Sequence, residues 1–248
     1  MMNAIRASFY KMFHDKSFVL SLIFTFLWGL AIGGVRFFTM GTRGISDVSE
    51  MSPFWGAYLG GHPIVLPLIL CIVLFFTGEY KDRSWKLLIA KGVSKVSYYV
   101  SRVLSAIALS FIISAVAVLS GLICDLTAYG GSFSAGYLFD CVKFALGQGY
   151  ANSVVAVLVL SVSMIIKSGE IAAFLSSCML VFGYYFLNKL QIAMDLGEIL
   201  TDVWAFDLSA FAEFGEPGNW GWISLMLLLY LVVFGGTTIF VIGHRDVE

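Results

Sequence analysis

The chain has 248 residues, 59% of them hydrophobic and only 12% charged, with a net charge of -1 and a mean hydropathy of +0.90. This composition excludes an ordinary water-soluble domain, and the absence of a basic surplus gives no ground for a nucleic-acid partner. What lies between the apolar runs is too short for a separate soluble domain with a sizeable core, so residues 1–248 read as one transmembrane domain.

Residues 1–16 open the chain. Ile5, Phe9, Met12 and Phe13 recur at i, i+4, i+7 and i+8, with Arg6, Lys11 and Lys16 off that stripe. The pattern predicts a helix lying flat at a membrane interface. Six apolar runs follow, at about 18–37, 54–77, 98–124, 141–166, 171–188 and 220–242. A helix rises about 1.5 Å per residue, so each can cross a hydrocarbon core of about 30 Å, the shorter ones barely. The expected fold is therefore an all-α integral membrane protein. The first run does not read as a removable signal peptide: no small-residue cleavage site follows it closely, and five more spans come after it.

An even number of spans puts both termini on one side. With the N-terminus in the cytosol, eleven of the fifteen Lys and Arg face the cytosol and four face outward. That is the bias the positive-inside rule demands.

Between the second and third spans lies the basic segment 79–97. From Glu79 to Arg102 the chain carries Lys81, Arg83, Lys86, Lys91, Lys95 and Arg102. Asp82 or Ser84 can start a short helix and Gly92 can end it. Trp85, Leu88 and Ile89 share one face of that helix, away from Arg83 and Lys86. The bland reading is an ordinary positively charged loop.

His62 sits beside Gly60, Gly61 and Pro63, a combination that breaks or kinks a helix and can also meet a substrate. Gln148, Tyr150, Asn152 and Ser153 make the start of the fourth span polar. Either they line a pathway or they bond to neighbouring helices. Asp140 and Lys143 stand three apart and can pair locally. The external segment 189–219 holds Leu196, Ile199, Leu200 and Val203 on one helical face and Asp195, Glu198 and Asp202 on the other. An interfacial anchor is the favoured reading there, ahead of a lid or a re-entrant hairpin. Gly29–Gly33, Gly56–Gly60, Ser101–Ser105 and Ser110–Ser114 have the small-xxx-small spacing of close helix contacts.

No GxxxxGK[ST], HExxH or GxSxG motif occurs, and no paired intramembrane carboxylates. The three histidines, His14, His62 and His244, fall in separate regions and suggest no metal. Cys71, Cys124, Cys141 and Cys178 show no CxxC spacing; Cys124 and Cys141 flank one loop, but free buried thiols are the simpler expectation.

The layout resembles the permease subunits of ATP-binding-cassette exporters, in the drug, bacteriocin, peptide and polysaccharide branch. Flat helix, six spans, basic segment and external helix all correspond. Glu79 matches that family's acid at the end of the second span, Ser94-Lys95 resembles its Ser-Arg pair, and Arg102 takes the place of a Lys. Arg83-Ser84 stands where Gly-Thr is usual, and Gly92-Val93 where Pro is usual. The resemblance implies that a cytosolic ATPase subunit, which would carry the ATP and Mg, docks on the coupling helix. Glu79, Asp82, Arg83, Trp85, Lys86, Leu88 and Ile89 are the candidate contacts. No cofactor is expected in this chain itself. A second permease chain completes the pathway, a homodimer being favoured over a heterodimer, and His62, Gln148 and Asn152 are candidate pathway residues. The implied location is a bacterial plasma membrane. The implied cargo is amphipathic or hydrophobic, a peptide first, whether exported or removed for immunity. The alternatives are a secondary transporter and a non-transporting anchor or sensor.

Overall fold

The computed structural model describes residues 2–41, 62–81, 88–129, 135–166, 168–195, 203–205 and 217–244. The described chain is helical, as expected. Helix α1 spans Met2–His14, α2 Lys16–Gly41, α3 His62–Lys81, α4 Lys95–Tyr129, α5 Ala135–Ile166 and α6 Gly169–Met194. The last span runs through α7 (Pro217–Tyr230), a π-helical turn (Leu231–Gly235) and α8 (Gly236–His244). Among the described residues five helices are long and apolar enough to cross a membrane, and α3 adds a shorter apolar stretch, Ile64–Gly78.

Some boundaries differ from the sequence reading. Helix α6 continues through Lys189 to Met194 and ends at Asp195, which takes the left-handed conformation (φ 54°). A lysine near a span end keeps its ammonium in water while its stem stays with the helix, so it does not stop the helix. Helix α5 begins at Ala135, before Asp140 and Lys143, both of which are exposed. Helix α3 starts at His62 with Pro63 in its first turn, where a missing N–H costs nothing. None of the four cysteines forms a disulfide.

Helix α5 is the centre of the bundle. Of its spanning window 83% is buried, against 17% for α6, so α5 is the axis and α6 a peripheral stave. Val154 to Leu160 are completely enclosed. A helix apolar all round suits such a position. Helix α4 packs chiefly on α5 and on α2, and α3 packs on α2, α5 and α6.

Small residues set these contacts, since apolar lipid offers little drive for apolar helices to associate. A Cβ on Gly149 would lie 2.9 Å from the Cα of Phe111. Helices α4 and α5 therefore touch backbone to backbone there. Gly29 lies against the Ser120 side chain of α4, and the Cys124 thiol points at the Leu30 carbonyl. Gly29 thus belongs to the α2–α4 seam. Gly56–Gly60 lies outside the described residues. Many buried hydroxyls, including those of Thr25, Thr77, Ser105, Ser161 and Ser163, bond back to the carbonyl four residues earlier. That satisfies them without water.

Candidate functional site

The structural features of interest gather at the end of the bundle that holds α1, the 88–93 turn and the end of α8. Residues 88–90 form a helical turn. The Gly92 N–H donates to the Ile89 carbonyl (2.9 Å) and the Val93 N–H to the Leu88 carbonyl (3.2 Å), while Gly92 has φ +84°. This is a Schellman cap, and glycine takes its left-handed position without a Cβ penalty. Leu88 and Val93, the pair such a cap brings together, are half-buried and pack against the apolar core. Ser94 then caps α4: its carbonyl accepts from Tyr98 N–H (2.9 Å) and its hydroxyl from Ser97 N–H (3.2 Å). A helix stop and a helix start are thus fused over three residues.

Two ties fix this corner to distant parts of the chain. The Lys95 ammonium donates to the Ile242 carbonyl (3.0 Å) in α8. A cation at the carbonyl end of a helix also meets its negative dipole. One turn further along α4, the Tyr99 hydroxyl lies 3.4 Å from Ser161 Oγ of α5. Tyr99 also packs on Gly235, where a Cβ would stand 3.0 Å from the phenol oxygen.

Helix α1 is seated on the same stretch of α4. The Arg102 guanidinium, 2% exposed, donates to Ser8 Oγ and lies 4.7 Å from the centre of the Tyr98 ring. Ser8 Oγ is 2.6 Å from Ser105 Oγ. Ser8 and Met12 are enclosed, whereas Tyr10 and Phe13 are exposed. The expected apolar stripe therefore divides: Met12 is enclosed and Phe13 faces outward, where its ring meets Phe18 edge-on. Asp15 separates α1 from α2 and accepts from the Ser17 N–H (2.8 Å).

Of the seven candidate docking residues, Leu88 and Ile89 lie in the capped turn, both half-buried. Glu79 falls in the last turn of α3. Asp82, Arg83, Trp85 and Lys86 lie outside the described residues. Among the candidate pathway residues, His62 is the first residue of α3, remote in sequence from the others. Gln148 and Asn152 are adjacent and fully buried at the α4–α5 contact. Gln148 Nε2 donates to Asn152 Oδ1 (3.2 Å), and Asn152 Nδ2 to Ser114 Oγ (3.2 Å). Ser110 Oγ joins the same seam, 3.0 Å from Ser153 Oγ and 2.8 Å from the Gly149 carbonyl. Tyr150 looks elsewhere, stacking on Trp220 and reaching Ser224 Oγ at 2.5 Å.

Beyond α6 and Asp195, the 189–219 segment is described at 203–205 and, as the start of α7, at 217–219. Trp204 Nε1 donates to the Leu180 carbonyl (2.9 Å), and its ring lies on Gly183. The Tyr230 hydroxyl accepts from Ala205 N–H (3.0 Å) and donates to the Val203 carbonyl (3.3 Å). Leu180 is near the middle of α6 and Tyr230 near the middle of the last span. These three residues therefore lie about half-way through the bundle, deeper than an interfacial anchor. The proposed helix over 196–202 lies outside the described residues.

Sequence reasoning did not single out Ser8, Tyr99, Trp204 or Tyr230 as a set. Ser8 had a local signal, since it sits between Ile5 and Met12 on one helical face. Among the described residues, no three His, Cys, Asp or Glu side chains group so as to hold a metal ion.

Residues 4–188 match the family model described as ABC-2 family transporter protein. No curated protein matches the chain.

Proposed function

The chain belongs to the ABC-2 transporter family, and from that premise we propose that it is the membrane half of an ATP-driven exporter for an amphipathic or hydrophobic cargo, a peptide first. Membership makes it a multi-pass transmembrane subunit that works with an ABC ATPase subunit. The finer reading is that the ATPase grips the coupling segment 79–97 on the cytosolic side of a bacterial plasma membrane. Both termini lie on that side, and ATP and Mg stay on the ATPase. A second copy of this chain completes the pathway.

The observation that carries the docking reading is the fused stop and start at Gly92 and Ser94. A lever must be stiff where it meets the load, and this turn is joined to α4 by a cap and to α8 by Lys95. Leu88 supports the turn from within, which leaves Trp85 as the residue to anchor the partner, with Arg83 and Lys86 orienting it by charge. For Gln148 and Asn152 the buried hydrogen bonds favour a role as glue between α4 and α5.

The test is co-purification of the ATPase with the permease. Trp85→Ala should release the ATPase, or weaken its retention by about tenfold, the usual scale of an interface anchor. Unchanged retention and unchanged ATP hydrolysis in that variant would sink the docking assignment. Peptide cargo is tested separately, by uptake of labelled amphipathic peptides into inverted vesicles.

A further inference from the structure

The last span is interrupted by the π turn Leu231–Gly235, and ties to distant residues fall on both sides of it. On one side, Tyr230 holds Val203 and Ala205, whose neighbour Trp204 is bonded to α6. On the other side, the Ile242 carbonyl receives Lys95, the first residue of α4. The π turn itself packs through Gly235 on Tyr99 of α4.

A π turn is one residue inserted into an α-helix, so its hydrogen bonds are less regular than those of its flanks. That is visible here. The Phe234 carbonyl is taken by the hydroxyls of Thr237 (2.9 Å) and Thr238 (2.6 Å), while the Gly236 N–H is shared between the Val232 and Val233 carbonyls. A helix segment with two ways to satisfy its carbonyls can shift register at low cost, and bistable elements of this kind are what carry coupling between sites.

We infer that the π turn is a joint in the last span, through which movement of the coupling turn at Leu88–Val93 is passed to the Val203–Ala205 segment. The route runs from Lys95 to α8, across the π turn against Tyr99, and from Tyr230 to Val203 and Ala205. The inference rests on the docking reading above, since the ATPase supplies the movement.

The experiment is hydrogen–deuterium exchange on the permease–ATPase complex in lipid nanodiscs, with and without a non-hydrolysable ATP analogue. Peptides covering 88–93 and 203–205 are followed separately. In the unaltered complex both should change on nucleotide binding. Deleting Val233, which is half exposed, removes the inserted residue and leaves both flanks facing as before. The response at 88–93 should persist and that at 203–205 should shrink by about fivefold, the effect of about 1 kcal/mol of lost coupling.

A second pair of variants covers misfolding of the deletion. Gly235→Ala presses on the Tyr99 hydroxyl and should blunt the 203–205 response; adding Tyr99→Phe removes the nearest atom and should restore it. An unaltered 203–205 response in both the deletion and Gly235→Ala overturns the joint. So does a complex in which 88–93 responds and 203–205 never does. A complex in which 88–93 itself is silent to nucleotide overturns the docking reading, and the joint falls with it.

Discussion

The Lys95 ammonium and the Ile242 carbonyl lie 3.0 Å apart although 147 positions separate them in the chain. The contact closes the bundle at the end where the capped turn sits. It also gives the last span, the element farthest from the coupling segment in sequence, a direct hold on it.

Lys95→Met should keep the fold and weaken the tie by about 1 kcal/mol, the scale of a charged hydrogen bond at a partly exposed helix end. ATP hydrolysis by the assembled complex should lose about fivefold of its response to cargo, because the last span no longer follows the turn. Lys95→Arg should keep most of it. Measured ATPase rates with and without cargo check this.

Gly92 occupies a left-handed position with φ +84°. Gly92→Ala should destabilise the cap by about 1 kcal/mol, and Gly92→Asn by less, since Asn tolerates that region. Limited proteolysis near 82–95 reads the difference: faster cleavage in Gly92→Ala than in Gly92→Asn.

Ser8 is enclosed between Arg102 and Ser105. Ser8→Leu overfills that space and strands the Arg102 donor, at a cost of about 1–3 kcal/mol. Helix α1 should lift from α4. Cysteine labelling at a substituted Met12→Cys should rise in the Ser8→Leu background and stay low without it.

Gly149 has no room for a side chain, because the Phe111 backbone is in the way. Gly149→Val should separate α4 from α5 and break the Ser110–Ser153 contact, lowering the yield of folded protein in the membrane. Asn152→Leu removes two hydrogen bonds, each worth about 0.6 kcal/mol in such a setting, and should be milder. A thermal-shift series in detergent ranks the two; the reverse order would show that the hydrogen bonds outweigh the close packing.

Trp204→Phe keeps an aromatic ring on Gly183 and deletes the bond to the Leu180 carbonyl. Exchange in the 203–205 peptide should rise without nucleotide. Tyr230→Phe should raise it further, since two backbone partners are released at once.

The helical class, the spans and the stop at Gly92 were legible in the sequence. Each rests on local physics: apolar length against bilayer thickness, and a glycine just past a short helix. The small residues Gly29, Ser110 and Ser114 were legible as contacts, though not their partners. The seat of α1 was half legible. Its periodicity announced an amphipathic helix, yet Phe13 and Met12 turned to different surroundings, because in a membrane both protein and lipid accept an apolar side chain.

By itself the sequence determined a bundle of apolar helices with a basic, capped segment between the second and third. Hydropathy and backbone conformation act over one or two helical turns, and their signals survive without a partner. The tertiary structure alone decided that α5 is the axis, that Lys95 reaches α8, and that Trp204 and Tyr230 hold Val203–Ala205 deep between α6 and the last span. Those outcomes depend on which helix faces which. Within lipid that choice is made by close packing at glycines and by a few buried hydrogen bonds, and neither leaves a periodic mark along the chain.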